Sequence, residues 1–472
     1  MVTKIKSVSI NKSKGKVGVI SLGCSKNRVN TEQMMYLLSN AGYSVTGETD
    51  GADIVLLNTC GFIESAKTEA VETILELAKS KKEGKTGKLI VAGCLPQRYK
   101  DSILKELPEI DAALGTGSFD DIVDVIENDI KQGDGSCAFF VNKNKAGEPS
   151  PCFFGDINAP VSETPRIIST SPVWAYLKIA EGCDNRCAYC CIADIRGRFR
   201  SRSVENIVAE AEKLAEKGFI ELIIVAQDVT MYGLDIYGKR MLSSLLNELN
   251  KIDKLKWIRL HYLYPDEFDD ELIDVIAKSD KILKYLDIPI QHINDEILRK
   301  MHRRGSGTGI RELLIKLRER IPGVVIRTSL IAGLPGENEG EFEELCEFLK
   351  EARLERIGVF AYSSEDGTDA ALMERPEKET AEERANKLLE LQSLIMKEWN
   401  ESRIGTVTDI IVEDMTTKID GTSYFLARSY AESPEIDGYI LLKANKAEEP
   451  SPCFSSCLIT GVLNGELIGE LL

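Results

Sequence analysis

Three cysteines, Cys183, Cys187 and Cys190, stand in the run Gly-Cys-Asp-Asn-Arg-Cys-Ala-Tyr-Cys, a Cys-x3-Cys-x2-Cys spacing. Three thiolates this close in sequence can hold three corners of a cubane iron–sulfur cluster, which normally takes four cysteines. The fourth iron is then open to a ligand that is not protein, so the cluster is equipped for chemistry as well as electron storage. A zinc knuckle, or a chance grouping in a Cys-bearing loop, is the competing interpretation. Zinc sites usually take paired Cys-x2-Cys groups or a histidine, and no His lies within 60 residues of this run.

Three further cysteines each follow an apolar run: Val17-Gly-Val-Ile-Ser-Leu-Gly-Cys24, Asp53-Ile-Val-Leu-Leu-Asn-Thr-Cys60 and Leu89-Ile-Val-Ala-Gly-Cys94. Helical patterns follow near Thr31–Asn40 and Ser65–Ser80. Continuous apolar strands alternating with helices imply a parallel sheet covered on both faces. The cysteines are 36 and 34 residues apart, about one βα unit each. They therefore fall at the carboxyl ends of parallel strands, where open α/β sheets build their sites. Cys24, Cys60 and Cys94 can converge there on a second three-Cys cluster; three separate buried core cysteines are the alternative.

The elements around the first cysteine run suggest a different scaffold. Apolar strand candidates recur at Trp174–Ala180, Ile220–Ala226, Trp257–His261, Tyr285–Ile290, Val324–Ile331 and Arg356–Tyr362, separated by helical segments such as Val204–Lys217 and Glu339–Ala352. Six βα units suggest a partial TIM-like barrel, whose working face lies at the strand C-termini. Polar residues at those ends are candidate cofactor or substrate contacts: Gln227 after the second strand and Gln291 after the fourth, although ordinary rim hydrogen bonding explains them equally well. Arg327, inside a buried-looking strand, needs a partner, and a substrate or cofactor carboxylate is one candidate. Ala332-Gly-Leu-Pro-Gly-Glu337 ends the fifth strand, and its glycines would let backbone approach a ligand closely. Of the three histidines, His261 reads as a rim residue and His302 as part of an exposed basic turn; neither is assigned a role.

Length and composition set the limits. At 472 residues the chain is too long for one ordinary core, and three parts are expected. These are an N-terminal cluster domain (15–135) with a linker (136–165), a barrel (166–375), and a linking helix (376–403) before a small β-barrel (404–472). Thr380-Ala-Glu-Glu383 has the capping-box pattern and is expected to open that helix, with Ala385, Leu388, Leu391 and Ile395 on one side. The last part is rich in strand signals and glycine, which fits a small β-barrel that binds something. No apolar run approaches the roughly 18 residues of a membrane span, and the Lys- and Ser-rich start lacks a secretory h-region. Seven of the twelve cysteines sit in or beside motifs, which favours a reducing, cytoplasmic setting over disulfides. A net charge of −17 argues against a broad nucleic-acid footprint. Asn144–Phe153 and Asn445–Phe454 agree at nine of ten positions, and both copies read as loops of a copied insertion.

The string Tyr176-Leu-Lys-Ile-Ala-Glu-Gly-Cys183 and the three cysteines that follow resemble the radical S-adenosylmethionine enzymes. The resemblance implies that S-adenosylmethionine chelates the open iron. An electron from the cluster then splits its sulfonium and releases a 5′-deoxyadenosyl radical. In that context Gly333, Pro335 and Glu337 resemble the segment that borders the methionine or adenine part of the cofactor. Two three-Cys sets in this order, with a terminal β-barrel, resemble the methylthiotransferases, whose architecture is an α/β cluster domain, a radical SAM barrel and a TRAM domain. The resemblance covers the chain from Lys16 onward. It makes Cys24, Cys60 and Cys94 ligands of one [4Fe-4S] cluster and Cys183, Cys187 and Cys190 ligands of another, two clusters in all. The two sets must then lie close together, with room for substrate between them.

Asn58-Thr-Cys-Gly-Phe-Ile-Glu-Ser65 and Ser429-Tyr-Ala-Glu-Ser-Pro-Glu-Ile-Asp-Gly438 look like the RimO type, which modifies an aspartate of a small-subunit ribosomal protein. Members that modify tRNA typically carry Ser-Ile-Arg or Thr-Val-Thr after the second cysteine. Cys191 and Ala193 depart from the family's usual Ile and Pro, and Cys191 adds a competing thiol. From Ile404 on, eleven acidic residues face four basic ones (Lys418, Arg428, Lys443, Lys446), a balance of −7. An RNA-binding module should be basic, so tRNA is disfavoured and a basic ribosomal protein is the expected partner. An external electron donor and a sulfur source are implied as well. A two-cluster electron-transfer protein is the alternative from another class; three-Cys sets argue against it.

Overall fold

The computed structural model describes residues 13–132, 142–143, 149–150, 152–443 and 452–472. Cys137 and most of both decapeptide copies lie outside them. The chain groups into two compact units. Of the described residues, one holds those up to Thr170 together with Ala180–Ser201 and Glu365–Thr368; the other holds Ser171–Ile179, Arg202–Ser364 and those from Asp369 on.

The first unit is built on a parallel sheet in the order Ser44–Thr46, Lys16–Ser21, Ile54–Thr59, Lys88–Gly93, Ala112–Leu114, Cys152–Phe153. Side chains alternate across it, as a strand's period of two requires. Val17, Val19, Leu56 and Ile90 pack on one face with Met34, Met35 and Leu38. Ile20, Val55, Leu57 and Val91 pack on the other with Ala70, Ile74 and Leu77. Both faces are thus buried, as continuous apolar strands demand.

Of the two helices expected here, the first begins six residues before its apolar periodicity announces and the second within one residue of it. The first spans Ser25–Asn40 and the second Glu64–Lys82. The opening turns of the first bury Lys26, Asn27, Arg28, Asn30, Thr31, Glu32 and Gln33, a polar face that apolar patterning cannot reveal. The decapeptide copies are not loops throughout. Asn142–Lys143 pairs with Pro149–Ser150, Cys152–Phe153 joins the sheet, and Cys453 and Phe454 open a long strand of the terminal barrel. In that strand Phe454 pairs with Ile411 and Cys453 with Val412, so backbone pairing overrides the prolines just upstream.

In the second unit six parallel strands pair in chain order: Trp174–Lys178, Glu221–Val225, Trp257–Leu260, Ile282–Asp287, Val325–Ala332 and Arg356–Ala361. This is the expected partial barrel. A closed five-stranded barrel follows, ordered Val407–Ile419, Thr422–Arg428, Ile440–Lys443, Glu466–Leu471, Cys453–Leu463. The intervening helix runs Lys378–Ser402 and is N-capped by Glu377 with no side-chain cap bond. Thr380 and Glu383 therefore lie inside the helix, because the good helix formers after Pro376 extend it upstream of the capping-box pattern.

The terminal barrel is not a loosely tethered module. Arg428, fully buried, bonds Glu413 at 2.7 Å and Glu221 at 2.8 Å. Arg259 bonds Glu221 at 2.7 Å and the Tyr430 carbonyl at 2.8 Å. His261 Nε2 meets Ser433 Oγ at 2.9 Å. The motif Ser429–Gly438 thus anchors one barrel on the other. Glu413 and Glu432 are buried and ion-paired, so the acidic balance counted from Ile404 overstates the charge this barrel offers a partner.

Candidate metal centre

Cys24, Cys60 and Cys94 stand at three neighbouring strand ends of the first unit. Cys24 is the N-cap residue of Ser25–Asn40. Cys94 is the first residue of the helix Cys94–Tyr99. Cys60 lies four residues before the helix Glu64–Lys82. Convergence of the three segments is read from two glycines. A β-carbon at Gly23 (φ +88°) would lie 2.8 Å from Cys60 Cβ and 3.5 Å from its Sγ, and one at Gly61 would lie 2.8 Å from Leu95 Cα. Only glycine permits the three turns to close this far.

Burial tends to raise all three thiols. At Cys24, Lys26, Arg196 and the backbone N–H groups of Asn27 and Lys26 outweigh it and lower the pKa. Cys60 is pushed up to about 12 by burial and by the neighbouring Cys94 and Cys24 thiols. Cys94 is raised by burial against the pull of Arg196. Three thiolates here repel one another, so a cationic group among them is what would hold all three deprotonated. Among the described residues no three Cys, His, Asp or Glu side chains close on a single ion.

Cys183, Cys187 and Cys190 lie in the same unit. Their loop is closed by antiparallel pairing of Ala180–Glu181 with Arg200–Ser201 and by a 3.1 Å bond from the Cys183 N–H to the Gly197 carbonyl. The Cys190 N–H reaches the Cys187 carbonyl at 2.9 Å. Burial and then its neighbours Cys187, Cys183 and Cys191 raise Cys190 well above the ordinary thiol range. Thr116 Oγ1 donates to the Ile195 carbonyl at 2.5 Å, and the Arg198 N–H donates to Asn158 Oδ1 at 2.9 Å. The loop is thus fastened to the sheet that carries the other three cysteines. Cys191 is buried against Cys94, Ile195 and Phe62, and burial pushes its thiol up to about 11.

Several residues around the cysteines carried no motif signal. Arg196 donates to Asn27 and Asn30, to Glu181 at 3.0 Å, and to Cys94 Sγ at 3.4 Å. Asn27 in turn donates to the Leu22 and Thr59 carbonyls. Arg98, four residues after Cys94, bonds the Gly61 carbonyl at 2.9 Å and Glu365 at 2.6 Å, and Lys67 meets Glu365 at 3.1 Å. Asn27 stands three residues after Cys24, and that nearness to a candidate ligand is the signal that points to it. Glu365 had none.

In the second unit the six cofactor candidates do not form one set. The protein itself supplies the partner that Arg327 needs: Asp287 lies at 2.7 Å and Asp437 at 3.7 Å. The carboxylate of a ligand is not required there. Glu337 is turned inward; its Oε1 accepts from the Gly333 N–H and from Arg384, both at 2.9 Å, and its Oε2 lies 3.3 Å from His292 Nε2. It braces its own turn. Gly333 (φ +77°) is required by the helix Lys378–Ser402, since a β-carbon there would lie 2.3 Å from Ala381 Cβ. Pro335 and Glu337 line a cleft of about 680 Å³ with Lys300, Asn338, Arg375 and Arg384; Gln227, Gln291, Arg327 and Gly333 are not in its lining. Gln291 (φ +69°) is stitched by its backbone to Ser329 and Ile331. His302 is half-exposed, 3.8 Å from Asp369.

The geometry can be set beside known proteins. A model of the radical SAM superfamily matches residues 177–349, one of an uncharacterized protein family, UPF0004, matches 16–115, and one of the TRAM domain matches 404–472. The chain is 45% identical over 462 residues to the ribosomal protein uS12 methylthiotransferase RimO of Acetivibrio thermocellus, covering 97% of this chain and 99% of that one. It is 44% identical over 457 residues to the protein of that name from Caldicellulosiruptor saccharolyticus, covering 97% and 100%. The radical S-adenosylmethionine methyltransferase TsrM from Kitasatospora setae, solved with cobalamin and a [4Fe-4S] cluster, aligns with a TM-score of 0.53 at 14% identity over 74% of this chain and 72% of that one. That likeness concerns the fold alone. Among the described residues no helix is long and apolar enough to cross a membrane. On sequence identity over nearly its whole length, the chain belongs to the RimO family of ribosomal protein uS12 methylthiotransferases.

Proposed function

We propose that this chain is a radical S-adenosylmethionine methylthiotransferase that places a methylthio group on the β-carbon of an aspartate in ribosomal protein uS12. The observation that carries the reading is 45% identity over 97% of the chain to a relative of that name. Two [4Fe-4S] clusters are assigned, one to Cys183, Cys187 and Cys190 and one to Cys24, Cys60 and Cys94. S-adenosylmethionine on the first supplies one-electron chemistry able to remove hydrogen from an unactivated carbon, and the second is the way in for sulfur.

The chain's own part is placement and shielding. Gly23 and Gly61 let the first three cysteines close together, Arg196 and Asn27 fix Cys94, and the Ala180–Ser201 loop holds the other three in the same unit. Cys191 and Phe62 fill apolar space beside Cys94, which keeps water from that thiol. For S-adenosylmethionine, Gln227 and Gln291 are retained as contacts, whereas Arg327 and Glu337 are engaged by the protein itself. A basic substrate protein, an external electron donor and a sulfur source are the remaining partners, and the cytoplasm is where they meet. The test is mass spectrometry of uS12 and of tRNA from cells with and without the gene. Loss of the methylthio group from uS12 alone supports the reading; loss from tRNA with uS12 unchanged overturns it.

A further inference from the structure

One buried cation of the first unit is held by partners from both cysteine-bearing segments. Arg196 is 2% exposed and lies six residues after Cys190. One terminal nitrogen bonds Glu181, two residues before Cys183, and Asn30, each at 3.0 Å. The other bonds Asn27 and approaches Cys94 Sγ at 3.4 Å. Asn27 also accepts from the Cys94 thiol at 3.7 Å. An ion pair with Glu181 would by itself explain a buried arginine. It does not explain the second nitrogen, which the fork aims at a sulfur. A planar guanidinium can serve both targets at once, whereas lysine's ammonium is a single point.

We propose that Arg196 is a positioning residue for the cluster held by Cys24, Cys60 and Cys94, giving it a fixed counter-charge and a hydrogen bond to the Cys94 sulfur while tying it to the loop of Cys183, Cys187 and Cys190. The proposal rests on the ligand assignment made above. Hydrogen bonds to cluster sulfurs and nearby net charge set reduction potential. Arg196 therefore raises the potential of that cluster, and through Glu181 and Asn30 it fixes one cysteine set against the other.

The test uses the full chain with Cys183, Cys187 and Cys190 replaced by Ala, reconstituted without oxygen, so that only the cluster in question is present. Iron per chain, the spectrum of the reduced cluster by electron paramagnetic resonance, and the midpoint potential are measured. The parent is compared with Arg196→Met, Arg196→Lys and Glu181→Gln, with circular dichroism as a check on folding. Arg196→Met is expected to lower the potential and change the spectrum, or to lose the iron, with Arg196→Lys recovering at least half of what was lost. Glu181→Gln removes a negative charge and is expected to move the potential the other way. Parent-like iron, potential and spectrum in Arg196→Met would overturn the proposal, as would equal behaviour of the Lys and Met variants, or a Glu181→Gln shift in the same direction as Arg196→Met. A parent that holds no iron counts against the ligand assignment instead, so the two failures are distinguishable.

Discussion

Replacing Glu432 with Gln should remove about 3 kcal/mol of stability from the second unit at neutral pH. Glu432 is 1% exposed and accepts from Arg356 at 2.9 Å, Arg403 at 2.5 Å, the Ser429 N–H at 3.0 Å and the Ser429 hydroxyl at 2.6 Å. Burial alone would raise its pKa, but the two guanidinia outweigh it and hold the carboxyl down to about 2. Against an unfolded value of about 4.3, that drop at about 1.4 kcal/mol per unit is about 3 kcal/mol. Loss of one partner from a buried ion pair has the same order, about 3–5 kcal/mol. The folded pKa is the lower one, so the contribution is complete above about pH 5 and is lost as pH falls from about 4.3 toward 2. Trp399 lies against Arg356 and Arg403, with centroid distances of 5.0 and 4.8 Å, and its fluorescence reports on this site. Urea titrations at pH 7 should show the variant unfolding at lower urea. By pH 3 the gap should shrink by about half, since Gln does not titrate and the wild-type carboxylate does. A gap below about 1 kcal/mol at pH 7, or one that widens in acid, would refute the reasoning.

The reconstituted chain should hold about eight irons, at four per cubane. Replacing Cys183, Cys187 and Cys190 with Ala should halve the iron and abolish S-adenosylmethionine cleavage, while replacing Cys24, Cys60 and Cys94 should halve it and leave cleavage measurable. Full iron in either variant would show that the ligands are misassigned. Gly61→Ala drives a methyl to 2.8 Å from the Leu95 backbone, an overpacking that costs about 1–3 kcal/mol. Its iron should fall toward the count of the Cys24, Cys60, Cys94 variant; iron equal to wild type with unchanged thermal stability would mean that the turns are not closed here.

The strands were legible because their signal is local, continuous apolar runs for parallel strands, and the Cys-x3-Cys-x2-Cys spacing of Cys183, Cys187 and Cys190 is local in the same way. Two helix starts were not legible, since the opening turns of Ser25–Asn40 are polar and buried, and Thr380-x-x-Glu383 repeats a capping pattern inside a helix that had already begun. The partners of Arg327 were not legible for a reason of distance. Asp287 is 40 residues away and Asp437 is 110, and no spacing rule joins them. The same holds for Arg428 with Glu221, which turns an apparent binding module into part of one cooperative unit. Truncation at Ile404 would leave Glu432's partners Arg356 and Arg403 buried without their carboxylate, so it would test folding before it tested substrate choice.

Anaerobic incubation of the reconstituted full-length chain with purified uS12, S-adenosylmethionine, sulfide and a strong reductant, followed by peptide mass spectrometry, is the most direct measurement of the central claim. One aspartate of uS12 should gain the mass of a single methylthio group less the hydrogen it replaces. The gain should vanish when either cysteine set is replaced with Ala. An unmodified uS12 beside a methylthiolated tRNA in a parallel reaction, or a uS12 product that persists without Cys24, Cys60 and Cys94, would contradict it.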